Sequence, residues 1–216
     1  MPADRKAVCV TRFRPECNQL VFLYQGGAGM FFMPPMRFFR LTGANKRNMT
    51  LLRDPDVNYY HGSLHPDYPD IETTIERQRQ IKRDCAHATQ YYCSGTSMGG
   101  YASILFGHYL EADVVYAFGA QTQVNTTLVD PTLSIPAQHR DLALLLAEWN
   151  GRTRYHLYYA EGFEPDRLAA ERLAHCPGVE LFPVPGTSHN VFRDINAAKL
   201  LRNLFPPLEE SSRWIW

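Results

Sequence analysis

Short apolar runs alternate with longer segments of helical spacing along this chain. Residues 6–13 and 49–53 predict strands. The run Gln19-Leu20-Val21-Phe22-Leu23-Tyr24-Gln25 is apolar at both parities between its terminal glutamines, which predicts a strand buried on both faces. Gly26-Gly27-Ala28-Gly29 ends that strand, and Asp54-Pro55 ends the one at 49–53. Residues 36–41 predict a short helix after the Pro34-Pro35 breaker. Residues 70–87 predict a longer helix, capped by Asp70, with Ile71, Ile75, Gln78, Lys82 and Cys85 at helical spacing. Its many charges predict an outer, solvated element. Beyond it the pattern predicts strands at 90–94, 112–118, 155–160 and 179–184, and helices at 101–110, 141–149, 165–175 and 191–204. Residues 121–140 are turn-rich. The alternation predicts an α/β architecture, with a mostly parallel sheet and helices on both faces. Between the strands at 112–118 and 155–160 there is room for one helix and a loop, and none for a large lid domain. The whole chain, 1–216, is then expected to form a single domain.

Charge and cysteine usage narrow the partners. Lys plus Arg and Asp plus Glu each number 22, for a formal net charge of zero. No basic run or stripe appears, so neither nucleic acid nor an anionic membrane is an expected partner. No apolar stretch reaches membrane-spanning length, and the first residues lead into a strand rather than a signal-peptide core. The five cysteines, Cys9, Cys17, Cys85, Cys93 and Cys176, are odd in number and form no C-x-x-C pair. Free, buried thiols in a reducing cytoplasm are expected, with Cys93 on a strand facing the core. The last residues include Trp214 and Trp216, which are expected to dock back on the domain, with a partner chain or a lipid surface as the alternatives.

The chemistry centres on Gly95-Thr96-Ser97-Met98-Gly99, a G-x-S-x-G sequence between a predicted strand and a predicted helix. That context is the nucleophile elbow of the α/β-hydrolase fold, and the compact form of that fold is the expected architecture. Glycines at 95 and 99 permit the backbone crowding of a sharp turn. The Ser97 hydroxyl is placed at a helix N-terminus, where amide groups and the dipole favour developing negative charge. A serine needs a base, and the base needs an orienting acid. In this fold the chain order is Ser, then Asp or Glu, then His. His189, in the turn between the last strand and last helix, fits that order. His61, His65 and His87 precede the serine, and His108, His156 and His175 fall inside or at the ends of predicted elements. The acid is expected after the strand at 155–160. Asp166 is favoured, and Glu161 and Glu164 are alternatives. The oxyanion needs two donors. These are expected to be the Met98 amide and an amide of the glycine loop, Gly26 or Gly27. The Met98 side chain is expected to pack over the acyl pocket. The run from Phe31 to Phe39 reads as core plus a short helix or as a wall of the site. Asn58-Tyr59-Tyr60-His61-Gly62 falls where the mouth of the site is expected.

Leu51-Leu52-Arg53-Asp54-Pro55, Tyr60-His61-Gly62 and the run Cys93-Ser94-Gly95-Thr96-Ser97-Met98-Gly99-Gly100-Tyr101-Ala102 resemble the hydrolase-fold O-acetyltransferases of bacteria. Those include accessory-secretion proteins that acetylate glycans and capsular polysaccharide O-acetyltransferases. The likeness spans roughly residues 20–110 and, beyond them, the order of the triad. It implies a Ser97, Asp166, His189 triad, a glycan hydroxyl as acceptor and an acetyl thioester such as acetyl-CoA as donor, with no tightly bound cofactor and no metal. An esterase or thioesterase using the same residues is the alternative, and a non-catalytic partner protein is a further one.

Overall fold

The computed structural model describes residues 9–127 and 129–208. Residues 6–8 of the predicted first strand, and Trp214 and Trp216, lie outside them. Seven strands form one sheet in the order β1-β3-β2-β4-β5-β6-β7. They are β1 (Cys9–Arg12), β2 (Gln19–Tyr24), β3 (Asn48–Leu52), β4 (Gln90–Thr96), β5 (Val114–Phe118), β6 (Arg154–Ala160) and β7 (Val179–Val184). Only β1 runs antiparallel, against β3 with Cys9 opposite Leu52. All other pairings are parallel. The helices are α1 (Pro35–Thr42), α2 (Ile71–Asp84), α3 (Met98–Tyr109), α4 (Ala137–Arg140), α5 (Leu142–Ala147), α6 (Glu164–Glu171) and α7 (Ala197–Leu201).

β2 shows why the sheet is covered twice. Successive side chains of a strand point to opposite faces. Leu20, Phe22 and Tyr24 enter one apolar cluster, with residues of α2, α3, α5 and α6. Val21 and Leu23 enter the other, with residues of α1 and α7. Every residue of β2 is buried. The predicted outer helix is amphipathic, as expected. Asp70 accepts from the Thr73 amide at 2.7 Å, and Ile71, Thr74, Ile75 and Gln78 form the buried stripe of α2.

Two of the boundaries that differ from the pattern-based expectation flank site residues. The elbow helix starts at Met98 instead of residue 101, because the strand runs on to Thr96 and the turn consists of Ser97 alone. The expected helix at 191–204 shrinks to α7. Upstream of it, side chains capture the backbone. Asn190 Oδ1 accepts from the Phe192 amide and Asp194 Oδ2 from the Thr187 amide. Such local bonds offer the chain an alternative to helix.

The order places a reversal between β2 and β4. The chain leaves β2 for β3 on one side and returns across it to β4 on the other. In open α/β sheets that switch, at the carboxyl ends of the strands, is where ligands bind. The segments after β2, β4, β5, β6 and β7 all emerge at that edge.

Candidate active site

The elbow is built from crowding. A Cβ on Gly95 would lie 2.0 Å from the Gly99 carbonyl oxygen, and one on Gly99 would lie 2.1 Å from that of Tyr24. Neither separation is sterically possible, so only glycine lets β4, the turn and β2 approach so closely. Ser97 itself adopts φ 55° and ψ −124°. Such a conformation costs a non-glycine residue about 1–3 kcal/mol. Its amide donates to the Phe118 carbonyl at 2.8 Å, which ties the strained turn to β5.

The structure brings Ser97, His189 and Asp166 into one hydrogen-bonded line. Ser97 Oγ lies 2.9 Å from His189 Nε2. His189 Nδ1 lies 2.9 and 2.8 Å from the two carboxylate oxygens of Asp166. An ionised carboxylate only accepts, so Nδ1 carries the proton and Nε2 is the acceptor for the serine hydroxyl. Asp166 is buried, at 4% exposure, in the first turn of α6. Helix-terminal amides there favour its negative charge. The two alternative acids do not reach the histidine. Glu161 is exposed, and Glu164 points outward within 4.0 Å of Arg167.

The glycine loop lies against the elbow, and its two candidate amides differ. The Gly26 amide donates to the Met30 carbonyl at 2.8 Å, so it is taken up inside the loop. A Cβ on Gly27 would meet nothing within 4 Å, so that residue borders open space. Tyr60 holds the loop from behind, its hydroxyl donating to the Gln25 carbonyl at 2.7 Å. The Met98 amide opens α3, and the first amides of a helix have no partner within it. The Met98 side chain is buried in the larger core cluster. Tyr59 and Tyr60 are likewise buried instead of lining the mouth of the site.

Phe31, Met33, Phe38 and Phe39 are core. Phe32 is different. Its ring stands edge-on to His189 at 5.0 Å, its backbone has φ 56°, and its carbonyl accepts from Asn190 Nδ2 at 3.2 Å. Phe163 packs on the same imidazole at 5.8 Å. Sequence reading did not single out Phe32, Phe163 or Asn190, although the adjacency of Asn190 to His189 was an available signal. Among the described residues no group of three His, Cys, Asp or Glu side chains is placed to hold a metal ion. All five cysteines are free, four of them buried. Burial pushes the Cys93 thiol up to about 12. No helix among the described residues is long and apolar enough to cross a membrane.

Comparison with known proteins agrees at the level of architecture. Est1E from Butyrivibrio proteoclasticus superposes with a TM-score of 0.58 at 14% identity, over 90% of both chains. A structure of the metagenome-derived lipolytic enzymes LipS and LipT gives 0.59 at 12%, covering 89% of this chain and 93% of that one. A chain of the glycosylation-associated Gap123 complex from Streptococcus agalactiae gives 0.55 at 16%, covering 82% of this chain and 40% of that one. No protein-family model matches the sequence, and no curated protein matches it. At these identities the likeness concerns shape, and the O-acetyltransferase resemblance is not established by it. A mostly parallel seven-stranded sheet, a G-x-S-x-G elbow at its switch point and these structural neighbours identify the chain as having the α/β-hydrolase fold, with no large insertion into it among the described residues.

Proposed function

We propose that the protein is a serine hydrolase that cleaves carboxylic esters or thioesters through a covalent acyl-Ser97 intermediate. The observation that carries the proposal is the line from Ser97 Oγ through His189 to buried Asp166. Ser97 Oγ attacks the acyl carbonyl carbon while its proton passes to His189 Nε2. The carbonyl π-electrons move onto oxygen, and the Met98 and Gly27 amides hold that oxyanion. Collapse expels the alkoxide or thiolate, which takes the proton from Nε2. Water then repeats the sequence on the acyl-serine, giving the acid and free Ser97. Asp166 keeps the histidine in the required tautomer and balances the imidazolium charge.

Solvent access favours water as the acceptor. The His189 side chain is 37% exposed, so water reaches the base that would activate it. A transferase must keep water from the acyl-enzyme. The neighbours whose names state an activity point the same way: LipS and LipT are lipolytic, and Est1E has been solved with ferulic acid bound. The glycan O-acetyltransferase reading retains the same residues and differs only in the acceptor. Acetyl-CoA serves as its donor and, in the hydrolase reading, as one thioester to be tried. Five free thiols suit a reducing compartment such as the cytoplasm.

The test is labelling by a fluorophosphonate, followed by turnover of 4-nitrophenyl acetate. Wild type is expected to be labelled at Ser97 and to release acetate. A folded wild-type protein that is neither labelled nor active sinks the proposal. Acetylated oligosaccharide formed in preference to free acetate would replace hydrolysis by transfer.

A further inference from the structure

Arg53 follows β3 directly and has no partner among the described residues. Among the described residues it makes no hydrogen bond or ion pair, and its Nε is buried without one. It is half-buried. Half-buried guanidinium groups are ordinarily matched by an acceptor or a carboxylate. The adjacent Asp54 does not supply one. Its carboxylate turns inward and accepts the amides of Tyr60 at 2.8 Å and Asp56 at 3.2 Å.

The unpaired cation lies on the glycine loop. Arg53 Nε is 3.2 Å, and its guanidinium carbon 3.5 Å, from the point a Cβ on Gly29 would occupy. The bare backbone of Gly29 is therefore what makes room for the guanidinium. The loop also touches the elbow, where a Cβ on Gly26 would lie 2.7 Å from the carbonyl oxygen of Thr96. The elbow and Arg53 thus touch the same short loop, at Gly26 and at Gly29, and Gly27 in the same loop borders open space. The two loop residues these contacts touch, Gly26 and Gly29, are three Cα steps apart, at most about 11 Å. An extended substrate of several bonds spans such a distance.

We propose that Arg53 binds an anionic group, a carboxylate or a phosphate, carried by the substrate several bonds from the reacting carbonyl. This rests on the acyl-serine reading above and adds the substrate class. The guanidinium fork matches the two oxygens of either anion. The anion has two possible sources, the acyl part of a dicarboxylic half-ester or the leaving group of a phosphorylated thiol or alcohol.

Two substrate pairs distinguish them. The first is 4-nitrophenyl hemisuccinate against 4-nitrophenyl butyrate, which places the charge on the acyl part. The second is acetyl-CoA against S-acetyl-N-acetylcysteamine, which places phosphates on the leaving group. Wild type is expected to prefer the charged member of one pair. Arg53→Gln is expected to lower kcat/KM for that member by about 10- to 100-fold, the worth of a charged hydrogen bond. The neutral member is expected to change less than about threefold, and Arg53→Lys to recover part of the loss. Absence of a preference in both pairs overturns the proposal, as does an equal loss on charged and neutral members. Fluorophosphonate labelling and turnover of the neutral esters report on Ser97 independently. If they fail in wild type, the acyl-serine reading has failed. If they persist while the preference is absent, only the role of Arg53 has.

Discussion

At the scale of single residues, three side chains carry the expected chemistry, and their separate removal has separate consequences. Ser97→Ala is expected to lower turnover by ~10⁴-fold or more while thermal stability stays near wild type, because the deleted hydroxyl is no part of the core. Asp166→Asn is expected to cost ~10⁴-fold, since an amide in place of the carboxylate no longer enforces the tautomer with its proton on Nδ1. Glu161→Gln, at an exposed position, is expected to be silent within twofold. The same 4-nitrophenyl ester assay checks all three. A silent Asp166→Asn beside a damaging Glu161→Gln would reassign the acid. The sequence favoured Asp166 but left Glu161 and Glu164 open, all three lying within six residues. Spacing cannot report which carboxylate the first turn of α6 aims inward.

At the scale of elements, the elbow depends on how closely β2, β4 and α3 approach. Gly99→Ala forces a methyl group to within 2.1 Å of the Tyr24 carbonyl oxygen, so backbone must move. A cost of about 3 kcal/mol is expected, typical of severe overpacking. In a domain of this size that lowers Tm by roughly 6–12 °C. Gly27→Ala is the control, because its methyl group meets nothing within 4 Å. Its Tm is expected to shift by less than about 2 °C, within the range of surface substitutions. Differential scanning calorimetry reads both, and equal Tm values for the two variants would contradict the crowding account. The elbow was legible because backbone contact excludes every residue but glycine at fixed positions. The shortness of α7 was not, because apolar residues over 191–204 continue at helical spacing. The competing side-chain bonds of Asn190 and Asp194 are visible only in three dimensions.

At the scale of the whole molecule, buried imidazoles link stability to pH. His61 is buried and donates from Nε2 toward the Tyr101 oxygen at 2.8 Å, while Tyr101 donates onward to the His139 carbonyl. His139 is buried too, its ring 5.4 Å from that of His61. Burial, with the neighbouring His139, lowers the His61 pKa from 6.5 to about 3. The unfolded chain therefore binds the proton first as the pH falls. Stability is complete above about pH 6.5 and is lost downward toward pH 3, at up to about 1.4 kcal/mol per pH unit from this one group. Burial also lowers the values of His108, His139 and His156, which add in the same direction. Buried Asp54 opposes them, because its raised value means the folded state takes up its proton first. Urea unfolding from pH 7 to pH 4 is expected to show falling midpoints for wild type. A shallower slope is expected for His61→Gln, whose amide can still donate to Tyr101. Parallel slopes would remove His61 from the linkage.

The order of strands and helices, the doubly covered parallel sheet and the position of the elbow follow from the chain itself. Each rests on local physics: apolar periodicity, glycine where backbone crowds, and a cap where a helix begins. Which acid faces His189, which glycine amide borders open space and where the unpaired Arg53 lies are matters of tertiary structure. They depend on distances between segments far apart in sequence, such as the 92 positions separating Ser97 from His189. Packing sets those distances, and no local pattern encodes them.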